Sequence, residues 1–437
     1  MDPRRQLARG LPPGLEVTLE LSVRDRSLLA GDHGPGARLA MAILVRLAGV
    51  TGVERLMDIT GAHIDSSLYM GDATLEFAER LATLGAKVAV PASLNVSGVD
   101  EHGWRDWPVP PAWAASAHRQ MVAYQTMGCT PTWTCAPYQT TSKPVFGQQI
   151  AWGESNAICF ANSVIGARTE RYPDLLDICA AITGRVPEAG LHLEQNRGGQ
   201  DLFRLRDIPE QVQRDDSFYP VLGHLIGKTS QDRIPVIEGL TVTPTEDQLK
   251  SLCAATASSG AVALLHIVGV TPEAPTRAAA FRGRSPERTV DVTMDRLRDA
   301  RAELTTSADA ALDMVVLGSP HFSVAEFRQL APLVAGRRRD PKVEFLVTSS
   351  RIMSLLARDD GLLEPLEAFG GKVTVDTCVL TTPMLRPEIK ILMTNSAKYA
   401  YYSPGLLKTA VVFGSLADCI ESAVQGRVVR DESLWAE

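Results

Sequence analysis

The run from Met127 to Arg168, MGCTPTWTCAPYQTTSKPVFGQQIAWGESNAICFANSVIGAR, sets thiols, a carboxylate and small polar side chains between strand-like and turn-like segments. Cys129 and Cys135 are separated by Thr-Pro-Thr-Trp-Thr, and Ala136-Pro137 takes the backbone out of any regular element straight after Cys135. A cysteine in such a loop can reach a metal cluster or a substrate. Cys378, in VDTCVLTTP, has a similar setting. His63 and Asp65 in AHIDS fall on one face of a strand end, and Gly-Glu154-Ser155-Asn156 offers a carboxylate, a hydroxyl and an amide together. His192 in GLHLEQNR, Ser319 and His321 in LGSPHFS, Ser93 and Asn95 in VPASLN, and Ser396 and Lys398 in NSAKY complete the candidates. An unassisted serine is too weak a base, so Ser319 needs a cation or metal nearby to act as one. Cys179, Cys253 and Cys419 lie in helix-like apolar contexts and Cys159 in an expected strand interior, so all four read as packing.

The segments that must position these residues alternate in type. RLAMAILVRLAGV (38–50) and TLEFAERLATLG carry helical periodicity, the latter stopped by Gly85. ERLMDITGAHIDS and AKVAVPASLN read as strands ending in polar loops. PDLLDICAAITG reads as a helix, DQLKSLCAATASSGAVALLHIVG as helix then buried strand, and RTVDVTMDRLRDARAELTT as a charged amphipathic helix. Segments near 207–216 and 272–288 read as linkers. Alternating helix and strand is the pattern of layered α/β domains, whose ligands bind where parallel strands end.

The order then repeats. DITGAHIDS corresponds to VLGSPHFS, VAVPASLN to FLVTSSR, TWTCAPYQTTSKP to VDTCVLTTPMLRP, and ICFANSVIGAR to ILMTNSAKYA. His63 thus mirrors His321, Cys135 mirrors Cys378, and Asn162-Ser163 mirrors Asn395-Ser396. We expect a diverged duplication with the two cysteines facing one cleft: a first α/β domain over 1–180, a connecting α/β region over 181–288 and a second α/β domain over 289–437.

Composition narrows the partners. The 437 residues are 45% hydrophobic and 22% charged, with a formal net charge of -7, as in an ordinary globular protein with no basic footprint for nucleic acid or an anionic membrane. No apolar run reaches the roughly 20 residues of a membrane span, and MDPRRQLARGLPPGLEV has no signal-peptide core, so a cytoplasmic location is expected. Seven irregularly spaced cysteines do not make a disulfide framework. No GxGxxG or phosphate-loop spacing occurs in the glycines near 31–36.

The run TCAPYQTTSKPVFGQQIAWGESNAICFANSVIGART, with LAGDHGPGARLAMAIL, AHIDSSLYMGD, VPASLN, HIVGVTPEA, LGSPHFS, VDTC and TNSAKYAYYSPG, resembles the large catalytic part of aconitase X from about residue 25 to about 425. The resemblance implies an aconitase-like α/β fold around an iron-sulfur cluster and a dehydratase acting on a hydroxylated carboxylic acid, either cis-3-hydroxy-L-proline or mevalonate 5-phosphate. A small swivelling domain of the family is not matched, which implies a separate small subunit. Cys135 and Cys378 become the first expected cluster ligands and Cys129 the third. Gly318-Ser319-Pro320-His321 has serine where the archaeal branch resembles GCPH, which points to the hydroxyproline branch and a [2Fe-2S] cluster.

On that resemblance Ser319, His63, Glu154 and His192 are expected to be catalytic. Asp65, Ser93, Asn95, Ser155, Asn156, His321, Ser396 and Lys398 are expected to bind substrate, with Asp65 pairing the secondary ammonium of a zwitterionic imino acid. A phosphorylated substrate would need clustered cations, and the motif loops offer few beyond Arg168, Arg351 and Lys398. A non-catalytic scaffold subunit that keeps the fold without the cluster is the alternative of another class.

Overall fold

The computed structural model describes residues 19–307 and 310–436; the N-terminal segment read above for a signal peptide lies outside them. Strands β1 (Leu56–Asp58), β2 (Ala62–Ile64), β3 (Ala92–Leu94), β4 (Ala151–Trp152) and β5 (Arg185–Pro187) belong to the first unit. β3-β2-β4 form a parallel sheet, and β1 and β5 pair antiparallel beside it. β6 (Asp201–Leu205), β7 (Pro235–Glu238), β8 (His266–Ile267) and β9 (Arg288–Val292) make a parallel sheet of order β8-β7-β6-β9. β10 (Met314–Phe322), β11 (Glu344–Ser349), β12 (Lys372–Val375), β13 (Ile391–Thr394) and β14 (Ala410–Phe413) make the third, all parallel, in the order β12-β11-β10-β13-β14.

Parallel strands covered by helices are apolar on both faces, and all nine residues of β10 are buried. Met314 and Val316 enter the core shared with the first two units, while Val315 and Leu317 enter a separate core on the other face of the sheet, as a two-residue period requires. The connecting region is therefore a full α/β unit with its own sheet. The segment 207–216 lies inside it, between β6 and the helix Phe218–Ser230, and RTVDV is its edge strand β9 rather than the start of the helix Met294–Glu303.

The expected duplication appears in the strand order. Thr130 bridges Ser93 in parallel, so the first sheet reads Thr130 edge, β3, β2, β4. That order matches β12-β11-β10-β13, and the chain visits the positions in the same sequence in both. Cys135 and Cys378 both follow the outer position. The fourth pairing differs from the sequence reading. ICFANS is helical, starting at Ser155, and Cys159 sits in that helix; the mate of β13 is β4, so Glu154 stands where Asn395-Ser396 stands. Its apolar run of four to five residues fits a buried helix as well as a strand, and periodicity does not separate the two.

Candidate active site

Every expected site residue except His192 and Cys129 lies at or just past the C-terminal end of a parallel strand. In the first unit, His63 Nδ1 and Ser93 Oγ lie 2.8 Å apart across β2 and β3, and His63 Nε2 has no hydrogen-bond partner among the described residues. Burial lowers this imidazole to about 3, against the raising influence of the Thr134 carbonyl and Asn95, so it is neutral at pH 7. Asp65 accepts a hydrogen bond from the Asn95 amide, whose Oδ1 is left without a partner. Burial, then the nearby Glu154, Asp174 and Asp177 carboxylates, push Asp65 well above the usual carboxylate range. No basic side chain among the described residues forms an ion pair with it.

The turn bearing Asp65 is fixed from behind by groups the sequence reading missed. Asp177, in the helix Leu176–Thr183, accepts from the Ser66 N–H at 2.9 Å and the Ser66 hydroxyl at 2.6 Å, and Tyr124 donates to the Ser66 carbonyl at 2.8 Å. An aspartate within the apolar run LDICAAIT, which must be buried, was the available signal.

Glu154 caps the helix Ser155–Phe160, its Oε2 accepting from the Ala157 N–H at 2.8 Å and from the Asn156 amide. Lys398 Nζ donates to Glu154 Oε1 at 2.5 Å, joining the first unit to the third. Burial opposes the Lys398 charge, but Glu154 and the Cys135 thiol outweigh it and hold the ammonium above its ordinary range. Asn156 donates to the Cys135 carbonyl at 3.0 Å and accepts from the Tyr138 hydroxyl at 2.9 Å, so it braces the cysteine loop; Ser155 is half-buried at the helix start.

From the other side, the His321 N–H donates to Cys135 Sγ at 3.3 Å, and His321 Nε2 lies 3.0 Å from the Thr377 carbonyl, next to Cys378. Cys378 is near enough to oppose the ionisation of Cys135. Burial raises Cys135 to about 12 and Cys378 above its ordinary value, while Lys398 acts downward on both. Ser319 and His321 belong to the turn ending β10, and Ser396, capping the helix Ala397–Leu406, donates to the Ser319 carbonyl. A Cβ at Gly318, where φ is +95°, would lie 2.1 Å from the Thr348 carbonyl, so only glycine fits this turn. Burial lowers His321 to about 4, and its Nδ1 has no partner among the described residues.

Two expected residues are not brought to this place. His192 sits beside Gln149, before the start of β4 and so at the end of that strand opposite Glu154, its nitrogens on the Tyr172 hydroxyl and on Gln149 Oε1 at 2.6 Å. Cys129 starts the edge segment, buried near Asp177, Tyr124 and Cys179, rather than beside Cys135. Among the described residues no three His, Cys, Asp or Glu side chains form a metal-holding group.

Residues 18–195, 202–302 and 312–425 match, in turn, the models of the first, second and third domains of aconitase X. The chain belongs to the aconitase X family. Over 99% of its length it is 47% identical to the cis-3-hydroxy-L-proline dehydratase of Pseudomonas aeruginosa, covering 77% of that protein. The Hypocrea jecorina protein of the same name is 44% identical over 94% of this chain and 70% of its own. The phosphomevalonate dehydratase large subunit of Methanothermobacter thermautotrophicus is 37% identical over 88% of this chain and 93% of its own. Crystalline aconitase X of Thermococcus kodakaraensis, in its holo form, superposes with a TM-score of 0.81 at 31% identity, over 93% of this chain and all of that one. This aconitase X is a hydro-lyase with the expected aconitase-like α/β fold. Among its described residues no helix is long and apolar enough to cross a membrane.

Proposed function

We propose that this chain is the catalytic large subunit of a cis-3-hydroxy-L-proline dehydratase, forming Δ1-pyrroline-2-carboxylate after the enamine tautomerises, with a [2Fe-2S] cluster and a small swivelling subunit. The observation that carries the substrate assignment is Asp65, an enclosed carboxylate beside Glu154 with no cation of its own among the described residues. A secondary ammonium supplies that charge, whereas a phosphate would be repelled there. The three cations available to a phosphate are already engaged: Arg168 with Glu194, Arg351 with Glu101 and Asp376, and Lys398 with Glu154. Identity runs the same way, 47% and 44% to the two hydroxyproline dehydratases against 37% to the phosphomevalonate subunit.

Two thiols from matching loops, Cys135 buried and Cys378 half-buried, beside an ammonium that favours their thiolate forms, fit a cluster site. Cys135 and Cys378 would hold the cluster, and Cys129 lies elsewhere. Bound, the cluster would supply an electrophilic iron for a substrate oxygen. The rest falls to this chain. Asp65 holds the ammonium, and His63, oriented by Ser93, receives the substrate carboxylate at Nε2 with Asn95 beside it. Glu154, fixed by Lys398 and its helix cap, takes the proton from the carbon bearing the carboxylate, while Ser319 holds the departing hydroxyl.

The partner is inferred from relatives named as large subunits and matched over 93% of their length. All seven cysteines are free, which suits a reducing cytoplasm. An equimolar mixture of cis-3-hydroxy-L-proline and mevalonate 5-phosphate, incubated anaerobically with the co-expressed complex and resolved by mass spectrometry, tests the assignment. Consumption of the imino acid alone supports it; consumption of the phosphate alone overturns it.

A further inference from the structure

Lys250 lies in the helix Glu246–Ser259 of the second unit and is 1% exposed. Its three ammonium protons meet Asp247 Oδ1 at 2.9 Å, the Glu326 carboxylate, and the His321 carbonyl at 3.2 Å. Asp247 in turn accepts from the Ser323 hydroxyl at 2.8 Å and from the Gln139 amide at 3.3 Å. Gln139 follows Cys135 by four residues, and Ser323 and Glu326 begin the helix after β10. One lysine-aspartate pair of the second unit thus holds the Cys135 loop of the first unit and the Ser319–His321 turn of the third. A buried ammonium is tolerated only when its partners are fixed around it, so the pair is a rigid joint.

We propose that Lys250 is a positioning residue for the reaction. It fixes the Ser319–His321 turn, and through Asp247 and Gln139 the Cys135 loop, so that the His321 N–H stays on the Cys135 thiol and Ser319 stays at the substrate. This rests on the assignment of Cys135 and Ser319 made above. A cavity of about 30 Å³ lined by Lys250, Ser319, Glu326 and Ser396 adjoins the turn, leaving it room to shift once Lys250 is gone.

The test compares wild type, Lys250→Met and Lys250→Arg in two ways. In metal-free protein, iodoacetamide labelling followed by mass spectrometry should show Cys135 reacting about tenfold faster in Lys250→Met, because the loosened turn opens the buried thiol to reagent and this gain in access outweighs the loss of the His321 N–H that favours its thiolate, while Cys419 in the core of the third unit stays protected. In the loaded complex, kcat should fall by about 10- to 100-fold with KM changed little, and Lys250→Arg should recover part of the loss. If Lys250→Met does not fold, Asp247→Asn takes its place in both measurements. Labelling of Cys135 within about twofold of wild type overturns the positioning role. The labelling needs no turnover, so a wild type inactive on cis-3-hydroxy-L-proline would count against the substrate assignment and leave this result standing.

Discussion

The backbone N–H of His321 donates to the thiol of Cys135 at 3.3 Å, across 186 positions of sequence. That bond places the end of β10 in the third unit against the cysteine loop of the first. Lys398 and Glu154 close the same gap at 2.5 Å. The polar ends of two sheets therefore form one site.

Replacing either thiol should remove the proposed cluster while leaving the fold. Cys135→Ser and Cys378→Ser are expected to purify colourless and to lose about 10³-fold or more in kcat, because an alkoxide or hydroxyl is a poorer iron-sulfur ligand than a thiolate. Cys129→Ser is expected to keep its visible absorption. Spectra and metal analysis of the three variants check this, and they also test the scaffold alternative, which requires a colourless wild type.

Breaking the Lys398–Glu154 pair leaves a buried charge without its partner. Lys398→Met should destabilise the protein by about 3–5 kcal/mol, and adding Glu154→Gln should recover part of that loss. Urea denaturation of the two single variants and the double variant measures the coupling; strictly additive losses would show that the pair contributes nothing.

The proposed pairing of Asp65 with the substrate ammonium makes binding depend on pH. Its pKa is raised in the free protein, so the carboxyl retains a proton that an ordinary aspartate would have lost. An ammonium beside it lowers that pKa. Binding between the two values therefore releases a proton, and affinity rises with pH until the free-state pKa is passed. Calorimetry with cis-3-hydroxy-L-proline in buffers of different ionisation enthalpy should show this release in wild type and its absence in Asp65→Asn.

His192 offers a contrast. With both ring nitrogens taken by Tyr172 and Gln149 at the strand-start end of the first sheet, His192→Asn should cost about 1–3 kcal/mol of stability and leave kcat/KM within about threefold. A fall of 10³-fold would bring it back among the catalytic groups.

The sequence reading found the loops but not what braces them. Cys135, Cys378, Glu154 and Lys398 stand beside helix and strand ends marked by proline, glycine or a capping residue, so their exposure to a common edge was legible. His192 falls away from the cleft because GLHLEQNR forms two short 3-10 turns, Gly190–His192 and Glu194–Asn196, and not a strand end. ICFANS was read as a strand because a short buried helix has no polar face to set its period. Lys250 and Asp177 are buried charges on helices; apart from Asp247, one turn before Lys250, the side chains and carbonyls that hold them in place come from distant segments, and only the packed structure brings those to them.

The most direct single measurement is proton NMR of cis-3-hydroxy-L-proline incubated with the iron-loaded enzyme, prepared anaerobically with the proposed small subunit. Disappearance of the substrate with growth of Δ1-pyrroline-2-carboxylate signals is the predicted result. An unchanged substrate spectrum beside a protein that contains its full iron and sulfide would contradict the assignment of this imino acid.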